Sequence, residues 1–308
     1  MAQEADPHLD PNQSIANQAQ ICTSRQMTTS VILAVLLAAV LHASWNAMAK
    51  GGKDKTLSMA AVIIGHSPFA LVALVFVPLP TVASLPYLAG GMVLHFGYQV
   101  FLINSYKIGD LTQVYPIARG IAPLIVAAVS VLFLNVDLGW TETFAVLLIG
   151  TGILSLGLVR GQNGGRNPKA AMLAVTTGCF IAGYSLVDGM GARVAQTGVG
   201  FYSILALLNA VVFAIYLRWQ RPGVLSRLPS EGARTFVLGG FASFAAYSLV
   251  VWGFTQAPIA LVTALRETSI IFALLIGVFF MKERLDLAKV LSTFMTLAGA
   301  ILLRFARS

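Results

Sequence analysis

A few ionisable side chains stand out because nearly everything around them is apolar. Arg119 sits about eight residues into the apolar run 111–134, roughly 12 Å along a helix. Arg266 lies at a similar depth in the run 259–281. An ionisable group at membrane depth is costly and by default marks a site. Two guanidiniums at matching places could clamp a carboxylate or phosphonate, which the arginine fork fits bidentately. The bland alternatives are snorkelling to an interface and a structural pair such as Arg266 with Glu267. Pro116 and Pro123 bracket Arg119 and each removes a backbone donor, so freed carbonyls there could face an ammonium or a cation. An ordinary proline kink is the competing reading.

His42 and Asn46 are four apart and share a helix face, with Trp45 beside them. His42 is a candidate proton carrier, as are Asp188 and Glu267; His66 and His95 also lie near mid-span. A lone buried histidine more often bonds one helix to another. Tyr98, Gln99, Tyr115, Tyr184, Tyr247 and Trp252 could line a cavity, whereas Trp140 and Trp219 suit interface anchors. No two histidines share a helix at ligand spacing, so no metal site and no cofactor is expected. The run Asp188-Gly189-Met190-Gly191-Ala192-Arg193 fits the opening of a CDP-alcohol phosphotransferase motif. The positions that should continue it, Tyr202, Ala206 and Ala210, carry no carboxylate, so the match reads as coincidence. Asp188 is then a helix-end residue or a proton-coupling one.

The elements that must position these groups follow from composition. Of 308 residues, 57% are hydrophobic and 10% charged, against about 45–50% and about 25% in soluble domains. A soluble fold so poor in charge could not cover its surface. A span needs about 20 mostly apolar residues. Ten segments qualify: 29–49, 57–77, 85–106, 111–134, 140–159, 169–192, 199–218, 235–256, 259–281 and 286–304. They must be helices, because an open strand leaves its backbone unsatisfied in lipid. Residues 1–26 are a polar tail. A signal-peptide reading, with Arg25 leading and Ala47-Met48-Ala49 as cleavage site, is disfavoured by the acidic lead-in. Cys22 and Cys179 read as free thiols.

The spacing that carries Arg119 onto Arg266 also carries Leu138 onto Leu285, Gly152 onto Gly299 and Arg160 onto Arg307. The expected architecture is an all-α membrane protein whose ten transmembrane helices form two inverted five-helix repeats, 27–160 and 161–308. Five spans per repeat turn the second copy upside down, with a solute site near the midplane between the copies. The net charge of +8 is spread over loops, which excludes a nucleic-acid stripe. Loops after odd-numbered segments hold most of the Lys and Arg, including Lys50, Lys53, Lys55, Arg218, Arg221, Arg227 and Arg234. That bias places those loops in the cytoplasm and both termini outside.

Several residues resemble the drug/metabolite transporter superfamily in its EamA-type ten-helix form. The first segment ends His42-Ala43-Ser44-Trp45-Asn46-Ala47-Met48-Ala49-Lys50, similar to the Trp-containing end of that family's first helix. The turn Ser105-Tyr106-Lys107-Ile108-Gly109-Asp110 is similar to its third junction. Phe280-Met281-Lys282-Glu283-Arg284-Leu285 is similar to its Glu-Arg-Leu signature, and Gly299 lies in Leu297-Ala298-Gly299-Ala300. The first repeat departs, with Val136-Asp137-Leu138. The resemblance implies a secondary carrier in the inner membrane, often an exporter, for a small polar or anionic metabolite such as an amino acid. Its partners would be the lipid bilayer, the solute and, as a candidate coupling ion, the proton. An intramembrane enzyme on lipid precursors and a lipid-linked-sugar flippase of the same fold are the alternatives. The enzyme would need clustered carboxylates or a nucleophile with a base.

Overall fold

The computed structural model describes residues 27–52, 54–108, 111–157, 168–279 and 287–305. Some side chains within these stretches, Tyr115 among them, lie outside the described set, as does Cys22. The described residues contain no strand. The helices are α1 (Thr29–Gly51), α2 (Lys55–Ile64), α3 (His66–Phe76), α4 (Leu85–Ile108), α5 (Leu111–Phe133), α6 (Trp140–Gly157), α7 (Pro168–Val194), α8 (Gly198–Gln220), α9 (Gly240–Gln256), α10 (Ile259–Arg266), α11 (Ser269–Phe279) and α12 (Leu287–Phe305). Polar caps start several of them. Thr28 accepts from the Val31 N–H, Asp54 from those of Thr56 and Leu57, and Thr197 from that of Gly200.

By length and apolarity, 29–49, 55–76, 168–194, 198–220 and 235–256 can each cross a membrane, and shorter apolar helices cover 117–133, 140–155 and 290–303. Large apolar side chains such as Leu71, Phe76, Leu132, Phe133, Phe144 and Phe294 point outward, as a lipid-facing surface requires. Trp140 and Trp219 are exposed near helix ends, as interface anchors are.

Three expected segments are interrupted. The second breaks at Gly65 into α2 and α3. The eighth opens with a wide π turn over Thr235–Gly239 before α9. These two irregularities meet. A Cβ on Gly65 would strike the carbonyl oxygens of Phe236 and Ala61, and one on Gly240 would lie 2.6 Å from the Gly65 oxygen. Glycine at both places lets the two backbones touch. The ninth segment breaks at Glu267-Thr268 between α10 and α11, with the Thr268 hydroxyl donating to the Leu265 carbonyl. The α5 helix runs unbroken through Pro116 and Pro123, neither of which has an N–H to donate to the preceding turn.

In the packing, α4 lies on α7 and α1 on α9; α5 lies on α6 and α7, and α12 on α6. At one end, Thr81 donates to the Val194 carbonyl, and Arg193 caps α9 through the Phe254 and Ala257 carbonyls at 2.8 and 3.0 Å. At the other end, Arg227 bridges Asp54 at 3.0 Å and Glu231 at 2.8 Å, tying the α1–α2 turn to the loop after α8. Burial pushes Asp54 upward, but the Leu57 N–H, Arg227 and the Thr56 N–H together outweigh it and hold its carboxyl below its usual range. The Arg227 hydrogen bonds hold Glu231 low as well.

Two outcomes are expected. Gly240→Ala should lower stability by about 1–3 kcal/mol through overpacking, read as a fall in melting temperature in detergent. Gly51→Ala, where a Cβ meets nothing within 4 Å, should leave it unchanged. The Asp54 contribution is present above the unfolded carboxylate value of about 3.9 and is lost as pH falls through the lower folded one. Melting curves of Asp54→Asn and wild type should therefore differ near neutrality and converge in acid.

Candidate functional site

Arg119 is 5%, Arg266 2% and Glu267 1% exposed, so all three are withdrawn from the surface. Glu267 stands between the two guanidiniums. Its Oε2 is 2.8 Å from Arg119 Nε, and its Oε1 is 3.5 Å from Arg266 Nη2. Arg119 also donates through Nη2 to the Ser269 hydroxyl at 3.2 Å. Of the structural alternatives, snorkelling is excluded by this burial, and the closer ion pair of Glu267 is with Arg119 rather than with its chain neighbour. The break between α10 and α11 makes this possible, because Glu267 caps α10 and Ser269 opens α11. Arg266 is the less satisfied cation: its buried Nε has no partner among the described residues.

A second polar cluster surrounds Asp188, which is 0% exposed. Its Oδ2 lies 2.7 Å from His95 Nε2 and accepts from the Tyr247 hydroxyl at 2.8 Å. Asp188 is thus no helix-end residue; α7 continues to Val194. A Cβ on Gly91 would come within 2.7 Å of Asp188 Oδ1, so only glycine leaves the carboxylate room beside α4.

Aromatic rings join the two clusters. His95 stacks on Tyr184 with centroids 4.1 Å apart, and Tyr184 meets Tyr98 and Tyr247 edge-on. Arg266 Cζ lies 5.9 Å from the Tyr247 ring centre, within cation–π range. Tyr202 packs edge-on against Tyr247, and its hydroxyl reaches His66 Nδ1 at 3.4 Å. His42 is half-buried and lies within electrostatic reach of both arginines. Trp45 donates to His42 Nδ1 at 3.3 Å, and Asn46 donates to its carbonyl at 2.8 Å. Trp45 therefore orients the His42 ring, while Asn46 bonds only its backbone. Gln99 is buried, and its Oε1 has no partner among the described residues.

Of the expected residues, Arg119, Arg266, Glu267, Asp188, Tyr98, Tyr184 and Tyr247 thus fall into one connected region, whereas Trp252 lies apart. Trp252 lines a cleft of about 470 Å³ at the bundle end that carries Arg193 and Gln256. A second cleft of about 370 Å³ lies by Asp54 and Arg227. Sequence reasoning missed Tyr202 and Ser269 as members and gave His95 no partner. The signal for Ser269 was its place two residues after Glu267; for Tyr202 there was none. Among the described residues no group of His, Cys, Asp and Glu could hold a metal ion. Cys179 is a free, exposed thiol.

Apolar helices long enough to cross a membrane, with large apolar side chains facing outward, define the class of this protein, an integral multi-pass membrane protein. Residues 168–305, a little under half the chain, match the EamA-like transporter family, whose members are transporters. The resemblance seen in the sequence is thus matched by the family over residues 168–305. One solved structure, described as "Crystal structure of protein", aligns with a TM-score of 0.73 at 20% identity, covering 91% of this chain and 98% of its own. At that identity the likeness is one of fold. No curated protein matches the chain by sequence.

Removing the Tyr247 hydroxyl leaves a buried carboxylate short of a donor. Tyr247→Phe should cost about 1.5–3 kcal/mol of stability, the range for hydrogen bonds to charged groups. Combined with Asp188→Asn, the two losses should fall well short of additive in a thermal double-mutant cycle.

Proposed function

We propose that this chain is a secondary active transporter that moves a small anion-bearing polar metabolite by alternating access. Export and residence in the inner membrane belong to the same reading. The observation that carries it is the pair Arg119 and Arg266, one from each half, buried around one carboxylate. Such an arrangement is costly in lipid unless it serves solute. Arg266, with an unpartnered donor, is the first contact for the anion. Tyr184 and Tyr247 flank it, and Tyr98 and Gln99 line the remainder; the Tyr115 side chain, also expected here from the sequence, lies outside the described residues. His42, Asp188 and Glu267 are the proton-coupling candidates.

Two inverted repeats of five spans, 27–160 and 161–308, complete the proposal. The packing supports it. Exchanging the halves swaps α1 with α7 and α4 with α9, and the contact of α4 on α7 then becomes that of α9 on α1. The contact of α6 with α12 maps onto itself. The Lys and Arg bias puts the Asp54–Arg227 end in the cytoplasm and both termini outside. In keeping with that, the α1–α2 turn and the loop after α8 meet at one end, while Thr81, Val194 and Ala257 meet at the other.

The test is uptake into sealed vesicles bearing the purified protein, using a labelled panel of amino acids, organic acids and phosphonates. For any solute carried, Arg266→Gln should reduce uptake by at least about tenfold, equivalent to one lost charged contact. Arg266→Lys should retain part of it, and the lipid-facing Phe294→Leu all of it. Wild-type uptake by both Arg266→Gln and Arg119→Gln would remove the clamp.

A further inference from the structure

With His95 and His42 neutral, the buried charges of the centre balance. Arg119 and Arg266 stand against Glu267 and Asp188, and all four are at most 5% exposed. An anion entering this region adds an uncompensated negative charge, which a low-dielectric interior penalises heavily. Glu267 also occupies the place an anion would take, bonded to one guanidinium and beside the other.

We propose that Glu267 is a built-in counter-ion that must take up a proton before a substrate anion can bind, so that one proton and one anion travel together. This rests on the transporter reading above, adds the coupling ion and its carrier, and replaces export by entry, because a proton falling inward across the inner membrane draws the anion with it. Protonation removes the Glu267 charge and releases Arg119 and Arg266 to hold a carboxylate or phosphonate from outside. The unpartnered Arg266 Nε supplies an additional donor that Glu267 does not use. With proton and anion both bound, the charge sum returns to zero; with neither bound, it is zero already. Those are the two states that can reorient cheaply through lipid, so both ligands cross in the same direction. Anion alone or proton alone leaves a net charge and stalls.

The other groups near Glu267 do not replace it in this role. From α9, Tyr247 presents its ring to Arg266; from α7 come Tyr184 and Asp188; from α1 comes His42. The α6 helix has Glu142, which is spent on the Gly139 N–H at the helix start. Described side chains of α12 include no titratable group. Asp188 is the strongest rival, but His95 and Tyr247 both bond its Oδ2, and neither of these is a guanidinium.

The test needs no knowledge of the natural solute. Full-length protein in detergent is melted over a range of acetate concentrations. Wild type should be stabilised by acetate in mildly acidic and not in mildly alkaline buffer, and should take up about one proton per acetate bound, read with a pH indicator in weak buffer. Glu267→Gln imitates the protonated state. It should bind acetate at least about tenfold more tightly than wild type in alkaline buffer, without proton uptake. Arg119→Gln/Glu267→Gln should lose that binding. The inference falls if Glu267→Gln gains no affinity for acetate, or if proton uptake persists in it and vanishes in Asp188→Asn. Should Glu267→Gln not fold, the wild-type count decides, and acetate bound without a proton overturns it. Acetate binding as described with no solute carried in vesicles would instead count against the transporter reading.

Discussion

A carboxylate held between two guanidiniums inside an apolar bundle sets the terms for the rest of this fold. Charges removed from water cost several kcal/mol each, recovered only through good geometry and further hydrogen bonds. The surrounding elements supply both. The break after Arg266 turns Glu267 toward Arg119, and Ser269 takes a further guanidinium donor. Tyr247 links this cluster to Asp188 by offering its ring to one and its hydroxyl to the other. The wall of leucine, valine and phenylalanine outside excludes the water that would otherwise screen these groups.

Much of this was legible in the sequence because charge is so scarce. Arg119 and Arg266 stood out by rarity and by the common phase of their flanking runs. Every expected apolar segment falls on a described helix or helix pair, with ends shifted by a few residues. The partners were harder to read. His95 and Asp188 are far apart in the chain, and their contact depends on how α4 lies on α7. In helices apolar nearly all round, the pattern does not announce which face meets which neighbour. The helix break beside Glu267 was not foreseen for a related reason. Prolines are the usual sign, yet α5 tolerates two, while the interruption beside Glu267 has neither proline nor glycine. There a threonine hydroxyl bonds back to the chain and competes with the helix for its carbonyl.

The two halves are alike in their cations and unlike in their acids. Arg119 and Arg266 correspond under the repeat, but the position matching Glu267 is Gly120. In place of a carboxylate, Gly120 presses against Leu154 and the Gly150 carbonyl of α6. Shared ancestry of the halves would explain the paired guanidiniums. The single acid gives the centre a polarity that a strictly symmetric pair of repeats would lack.

The contact of Gly65 with Gly240 bears on how such halves can move. Most helix crossings are locked by side chains that interdigitate, and changing their angle means lifting knobs out of holes. Here main chain rests on main chain, and each glycine belongs to a different half. At such a crossing the point of closest approach is set by backbone alone, while the ring contacts of Phe69 with Phe241 and His66 with Phe244 beside it fix the angle at which the two helices meet.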